Sequence, residues 1–299
     1  MPIHLELIQN FFTAPAAPAA PGSLNLARLL KIKAGELANV RMGNRYYYRH
    51  FAIPKSDGRE RHIVAPSPAL KELQQRLLRR YLAHLPVHPA ATAFMPGASI
   101  LRNAQRHAGR ALVATVDLTD FFGSTTSRRV RAFFVHKGWR GEALATLMRL
   151  CVYRNGLPQG APTSPCLSNL VNTDLDAALD ELARQSGASY TRYGDDLTFS
   201  WAATSIPTYF RAAVTRELLL AGYQIQTRKD WRVTRASDAP VVTGLVLDRR
   251  GRIKPSQRIH NRARRLCWQA WWQRLLGRDD AAISEQLRGY WGFFKMFEP

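Results

Sequence analysis

The chain has 299 residues, 46% of them hydrophobic, with 43 Lys and Arg against 22 Asp and Glu for a formal net charge of +21. That length and apolar content exclude a disordered chain and leave room for a large core with two or three subdomains. The charge points to a polyanionic partner, nucleic acid ahead of a membrane surface, because no apolar run approaches transmembrane length and no long basic amphipathic helix stands out.

In chain order, residues 1–12 read as a short helix without the basic start or cleavage site of a secretion signal, and Thr13 to Gly22 as an extended Pro/Ala linker. Asn25 to Val40 predicts two short helices broken near Lys33 and Gly35. Tyr46 to Ile53 and Arg59 to Val64 predict a hairpin whose tip carries Lys55, Arg59 and Arg61; a solvated basic turn is the commoner meaning of such a tip. Pro66 to Leu85 predicts a helix with Leu70, Leu73, Leu77, Leu78 and Leu82 on one face. Ala111 to Leu118 is a short apolar run that predicts a buried strand with Asp117 at its end, where a charge is costly unless paired or liganded.

Ser127 to Lys137 and Gly141 to Tyr153 predict helices, and Asn155 to Pro165 a loop fixed by prolines and glycines. Cys166 to Gln185 reads as one helix with an acidic C-terminal half. Ser189 to Ser200 alternates apolar and polar residues on both sides of Tyr193-Gly-Asp-Asp196, the period of a strand, a turn and a second strand. Thr208 to Ala221 predicts a helix, Gln224 to Val233 and Val241 to Leu247 predict strands, and Asp248 to Gly251 a turn. Ser256 to Leu276, rich in Arg and Trp, and Ile283 to Phe297 predict two closing helices. Cys151, Cys166 and Cys267 are widely spaced and odd in number, which gives neither a disulfide framework nor a metal pattern and fits a reducing, cytoplasmic setting.

The hairpin tip places Asp195 beside Asp196, and two adjacent like charges are costly without a cation near them. With Asp117 they make a set of hard oxygen donors of the kind Mg²⁺ takes. Two such ions about 3.5–4 Å apart can activate an attacking hydroxyl and stabilise a leaving oxygen. Asp117 and Asp195 are the expected bridging ligands and Asp196 the looser third. Each piece has a plainer meaning as well: an exposed turn for Gly194 to Asp196, a helix cap or salt bridge for Asp117.

Together these pieces resemble reverse transcriptases, and within them the bacterial retron type. Val116-Asp-Leu-Thr-Asp-Phe-Phe122 looks like the family's first aspartate motif, and Gly156 to Asn169 like its Leu-Pro-Gln-Gly motif. Tyr193-Gly-Asp-Asp196 fills the Tyr-x-Asp-Asp motif, with Gly194 where retron enzymes more often carry Ala. Asn103-Ala-Gln-Arg-His107 fits the retron Asn-Ala-x-x-His element and Val242-Thr-Gly244 the Val-Thr-Gly element. The resemblance spans roughly residues 25–299, and ordered motifs in register carry far more weight than any one alone.

The resemblance implies an α+β right-hand polymerase with an antiparallel palm sheet carrying the Tyr-Gly-Asp-Asp hairpin. Residues 1–22 would be an N-terminal segment and linker, 23–110 fingers with part of 123–165, 111–248 palm and 249–299 thumb. It assigns Asp117, Asp195 and Asp196 to two Mg²⁺ ions. Phe122 matches the aromatic that rejects a 2′-hydroxyl in favour of dNTPs, with a core aromatic as its other meaning. Gln159 and Gly160 match the nucleotide pocket, and Lys55 and Arg61 the hairpin that grips the triphosphate, which Arg can bind with two parallel bonds. Lys229 matches a lysine that protonates the leaving pyrophosphate, or is a solvated strand-end charge. Asn103 and His107 are placed at RNA, with a helix cap as the rival role for the His107 ring.

In the last segment Arg258, Arg262 and Arg265 are expected at phosphates, and at least two of Trp268, Trp271 and Trp272 in a thumb core. Trp can otherwise stack on unpaired bases. The function implied is copying a cognate structured non-coding RNA into multicopy single-stranded DNA from a 2′-hydroxyl branch. The product would be held as a ribonucleoprotein in anti-phage defence, beside a separate effector protein and with no membrane. The rival readings are another bacterial reverse transcriptase, such as a group II intron type, and a non-catalytic RNA-binding scaffold.

Overall fold

A computed structural model describes residues 22–33, 35–42, 47–54, 60–226, 230–248, 250–276, 278 and 280–297. The expectations for residues 1–21, Lys55, Arg59 and Lys229 lie outside the described residues. In chain order the elements are α1 (Ser23–Leu30), α2 (Glu36–Met42), β1 (Tyr48–Pro54), β2 (Glu60–Pro66), α3 (Pro68–Arg80), α4 (Ile100–Gln105), β3 (Leu112–Asp117), α5 (Phe121–Ser124), α6 (Ser127–His136), α7 (Gly141–Cys151) and α8 (Ser164–Val171). They continue as α9 (Thr173–Gln185), β4 (Ala188–Tyr193), β5 (Asp196–Trp201), α10 (Phe210–Leu220), β6 (Arg232–Arg235), β7 (Val241–Val242), β8 (Leu245–Leu247), β9 (Ile253–Pro255), α11 (Gln257–Leu275) and α12 (Ala281–Lys295). Among the described residues no helix is long and apolar enough to cross a membrane.

The chain divides into two compact units. One comprises the described residues up to Val87 with Asp120–Thr173. Its core joins Leu26 and Leu30 of α1, Leu70, Leu73 and Leu77 of α3, Phe134 of α6 and Leu147 of α7. Helix α3 forms where it does because Ser67 caps it, its hydroxyl accepting from the Leu70 N–H, with Pro68 already set at the helical φ. Strands β1 and β2 pair antiparallel, from Tyr48 opposite Pro66 to Pro54 opposite Glu60.

The second unit comprises His88–Thr119 and the chain from Asp174 onward. Its main sheet runs β4-β5-β3-β6, every pairing antiparallel. Strands β3 and β5 are buried nearly throughout. Accordingly β3 reads as an almost continuous apolar run, whereas β5 alternates and buries its polar Thr198 and Ser200 with the rest. A smaller sheet, β7-β8-β9, packs Val242, Leu245 and Leu247 with Ala104 of α4 and Val113 of β3.

Three expected elements are corrected. The single helix over Cys166 to Gln185 is two, because the chain breaks between Val171 and Thr173 and the Asn172 side-chain amide bonds back to the Ser168 carbonyl at 2.8 Å. The strand over Val241 to Leu247 is a tight hairpin, with Thr243 and Gly244 both at positive φ (47° and 87°). In the expected strand over Gln224 to Val233, Ile225 makes only an isolated bridge to Leu118, and regular pairing begins at Arg232.

Candidate active site

The aspartates gather because of strand register. Asp117 ends β3 and stands directly opposite Asp196, the first residue of β5. Directly opposed residues in an antiparallel pair bring their β-carbons to about 4.5–5.5 Å. Asp195 lies in the two-residue loop between β4 and β5, where Tyr193 faces Asp196. Gly194 takes φ +67° while Asp195 keeps a negative φ, the arrangement of a type II′ turn with glycine first. The turn is tied to β3 by the Leu118 N–H, which donates to the Asp195 carbonyl at 3.1 Å. The Asp117 carbonyl is engaged in turn by the Gln226 N–H at 2.9 Å. Asp117 is half-buried, and Asp195 and Asp196 are exposed.

Among the described residues no group of three or more His, Cys, Asp or Glu side chains makes a ready metal cage. The donor chemistry nevertheless fits a hard divalent ion. Mg²⁺ is commonly held by one or two carboxylates and completed by substrate phosphates and water, so an opposed pair such as Asp117 and Asp196 is a sufficient protein contribution.

Behind the turn lies an ion pair that the sequence reading missed. Arg192 of β4 and Asp176 of α9 are both fully buried. The guanidinium grips the carboxylate with two bonds, Nε to Oδ1 at 2.8 Å and Nη2 to Oδ2 at 2.6 Å, and its Nη1 donates to the Gly194 carbonyl at 3.2 Å. The Tyr190 hydroxyl donates to Asp176 Oδ1 at 3.0 Å. Burial works against the Arg192 charge, but the Asp176 carboxylate outweighs it and holds the guanidinium firmly protonated. The available signals were an Arg inside a strand of otherwise uncharged residues, two positions before a glycine turn, and an acid in the first turn of the preceding helix.

Asn103 and His107 are corrected. Both are fully buried, so neither side chain reaches a surface where RNA could touch it. Asn103 accepts from the Thr92 hydroxyl at 2.8 Å and donates to the Thr243 hydroxyl at 3.4 Å, which joins the Asn-Ala-x-x-His and Val-Thr-Gly elements to each other. His107 bridges Ser200 of β5 (Nδ1, 2.8 Å) and Thr191 of β4 (Nε2, 2.7 Å). Its pKa is pushed down to about 3 by burial first, then by the charges of Arg106 and Arg110, which keeps the ring neutral. The Asn-to-His spacing is therefore a clamp on the β4–β5 hairpin.

The residues expected at the nucleotide lie in the other unit. Phe122 on α5 is half-buried against that unit's core, its ring 5.4 Å from that of Phe121. The loop with Gln159 and Gly160 is docked beside it. The Leu157 N–H donates to the Phe122 carbonyl at 3.0 Å, and the Val64 N–H of β2 to the Gln159 carbonyl at 2.8 Å. The loop comes this close because Gly156 lacks a side chain, since a β-carbon there would sit 2.2 Å from the Gly123 carbonyl oxygen. Arg61 lies on β2 opposite Ile53.

Arg258, Arg262 and Arg265 are all exposed on α11. The expectation of a tryptophan core is overturned: Trp268, Trp271 and Trp272 are 60%, 53% and 54% exposed. Only Ala263 of α11 is buried. Ile259 of α11, Phe293 of α12 and Phe297 just beyond it are partly buried against the cluster of Ala104, Val113, Val242, Leu245 and Leu247. With Leu275 the tryptophans recur at the i, i+3, i+4, i+7 spacing of one helix face. That pattern reads as core in sequence whether the face is covered or open.

The sequence matches the family model described as reverse transcriptase (RNA-dependent DNA polymerase) over residues 53–234. It is 36% identical to the retron Mx162 reverse transcriptase of Myxococcus xanthus, over 85% of this chain and 58% of that protein. It is 35% identical to the retron Mx65 reverse transcriptase of the same organism, over 85% of this chain and 62% of that protein. With the retron Ec86 reverse transcriptase of Escherichia coli it shares 40% identity over 52% of this chain and 49% of that protein. The chain thus spans less than two thirds of the length of these relatives.

Proposed function

The chain belongs to the reverse transcriptase (RNA-dependent DNA polymerase) family and is of the bacterial retron type, and from that premise we propose that it is an RNA-directed DNA polymerase that copies its own structured non-coding RNA into single-stranded DNA. The observation that carries this reading is the register of Asp117 opposite Asp196, with Asp195 one residue before it in the turn. In this reading 111–248 act as palm, 249–299 as thumb, and 23–110 with part of 123–165 as fingers.

Asp117 and Asp195, with Asp196 as the looser third carboxylate, would hold two Mg²⁺ ions, which when bound supply charge neutralisation at the triphosphate and a more acidic primer hydroxyl. The strand ends fix the carboxylates in advance, so little reorganisation is needed as charge develops. Phe122 stands at the sugar and excludes the 2′-hydroxyl, Gln159 and Gly160 line the nucleotide pocket, Lys55 and Arg61 grip the triphosphate, and Lys229 gives a proton to the pyrophosphate. Arg258, Arg262 and Arg265 bind phosphates, and the open tryptophan face of α11 suits unpaired bases.

Retron chemistry follows in the same proposal. Synthesis starts from the 2′-hydroxyl of a branch guanosine, yields multicopy single-stranded DNA joined to RNA, and leaves a ribonucleoprotein that acts in anti-phage defence with a separate effector protein. Extension of a primed RNA template with dNTPs tests the polymerase, and a nuclease-resistant RNA–DNA branch in the purified product tests the priming. A non-catalytic RNA-binding scaffold gains nothing from carboxylates opposed beside phosphates.

A further inference from the structure

The Tyr193–Asp196 turn must present two exposed carboxylates without moving, and on one side it is held by the pairing of Asp196 with Asp117 at the end of β3 and by the Leu118 bond to the Asp195 carbonyl. The other side of the turn is braced from inside. Arg192 reaches two residues ahead to the Gly194 carbonyl while its remaining fork is locked on Asp176. Its own backbone is fixed as well: the Arg192 N–H donates to the Ala90 carbonyl at 2.7 Å, and the Arg192 carbonyl accepts from the Thr92 N–H at 2.9 Å and the Thr92 hydroxyl at 3.1 Å. These bonds hold the Arg192 main chain, and the grip on Asp176 leaves Nη1 donating to the Gly194 carbonyl.

A buried ion pair is a poor device for stability alone. Apolar residues of similar volume commonly serve as well or better, because two charges must be taken out of water. What an apolar pair cannot supply is a donor aimed at the Gly194 carbonyl. We infer that Arg192, locked by Asp176 and Tyr190, is a positioning residue that fixes the peptide plane of Gly194 and with it the direction of the Asp195 and Asp196 carboxylates. The inference rests on the polymerase reading only for its catalytic consequence; the anchoring of the turn is a property of the fold.

The test is a variant that keeps the volume and removes the donor, Tyr190→Phe with Asp176→Leu and Arg192→Met, compared with wild type and with Arg192→Lys. Arg192→Lys keeps the charge beside Asp176 but lacks the fork needed to reach both partners. It also serves if the triple variant does not fold. Three quantities are read: the thermal midpoint, amide hydrogen exchange at Leu118, and the Mg²⁺ concentration for half-maximal primer extension.

The expected result is a midpoint equal to or above wild type in the triple variant, with faster exchange at Leu118 and unchanged exchange at Thr198 within β5. The Mg²⁺ requirement should rise about tenfold in both variants, the order of one hydrogen bond to a charged group, with kcat falling and KM for dNTP little changed. Unchanged exchange at Leu118 together with an unchanged Mg²⁺ requirement in either folded variant overturns the inference. If wild type does not extend primers while the exchange difference appears, the polymerase reading fails and the anchoring role stands.

Discussion

The ring of Phe94 lies against the place a β-carbon on Gly194 would take, its Cζ 3.2 Å from that position, so the ring would have to give by a few tenths of an ångström. Phe94 is itself at φ 62°, an uncommon conformation for a bulky residue and one that must be held by its surroundings. Gly194→Ala therefore costs twice in this chain, through a positive φ worth about 1–2 kcal/mol and through displacement of the ring. The expected outcome is a lower denaturant midpoint and slower primer extension, with part of the extension rate restored by adding Phe94→Ala. An alanine variant equal to wild type in both would show that the turn and the ring adjust freely.

His107 makes the fold sensitive to acid. Its folded pKa of about 3 lies below the 6.5 of a free histidine, so between those values the unfolded chain binds a proton that the folded chain refuses. Stability from this group is complete above about pH 6.5 and falls as pH drops through that window, by about 1.4 kcal/mol per pH unit at most. Urea unfolding of wild type and His107→Gln at several pH values checks it. The variant should be less stable near neutrality and show a shallower acid limb; parallel limbs would mean that the ring titrates normally.

Phe122 faces two roles in one position. Packed against the core of its unit, it should give Phe122→Ala a measurable loss of stability, about 3–5 kcal/mol if the ring were fully buried and less for a half-buried one. Phe122→Val keeps more of the packing and is the better probe of sugar choice. Ribonucleotide incorporation relative to deoxyribonucleotide should rise in a folded, active Phe122→Val enzyme. An unchanged preference assigns the ring to the core alone.

Arg262 and Arg265 lie exposed on α11 and are expected to meet RNA phosphates. Each phosphate neutralised on a single strand adds about −0.7 to the slope of log K against log salt, with the same sign for structured RNA. Reversal of both to Glu should weaken binding of the partner RNA most at low salt and flatten that slope. Extension of a generic primed template at saturating concentration should suffer less. Filter binding across a salt series, with folding checked by circular dichroism, decides; an identical slope removes the RNA role of these arginines.

How much could be read from the sequence depended on whether a residue's surroundings were local. The run from Leu112 to Val116 and the alternation around Gly194 are local signals, and both strands and their turn stand where they were expected. The helix break at Asn172 rests on one side chain bonding back to Ser168, which apolar periodicity does not register. Asn103 and His107 looked like ligand-facing polar residues because their partners, Thr243, Thr191 and Ser200, lie 84 to 140 positions away. Arg192 and Asp176 were passed over for a similar reason, since burial of a charge is visible only once both partners are placed. The face of Trp268, Trp271 and Trp272 has the spacing of a core stripe and yet is open, because periodicity records which residues share a face and not what covers it.

The central claim is that the carboxylates of Asp117, Asp195 and Asp196 make this chain a metal-dependent RNA-directed DNA polymerase. Extension of a primer on an RNA template, with dNTPs and Mg²⁺, tests it in wild type and in the double variant Asp195→Asn with Asp196→Asn. The account predicts DNA synthesis by wild type and none by the double variant, which should still fold and bind RNA because the lost carboxylates are exposed and take no part in the core. Extension by the double variant at a rate near that of wild type would contradict it.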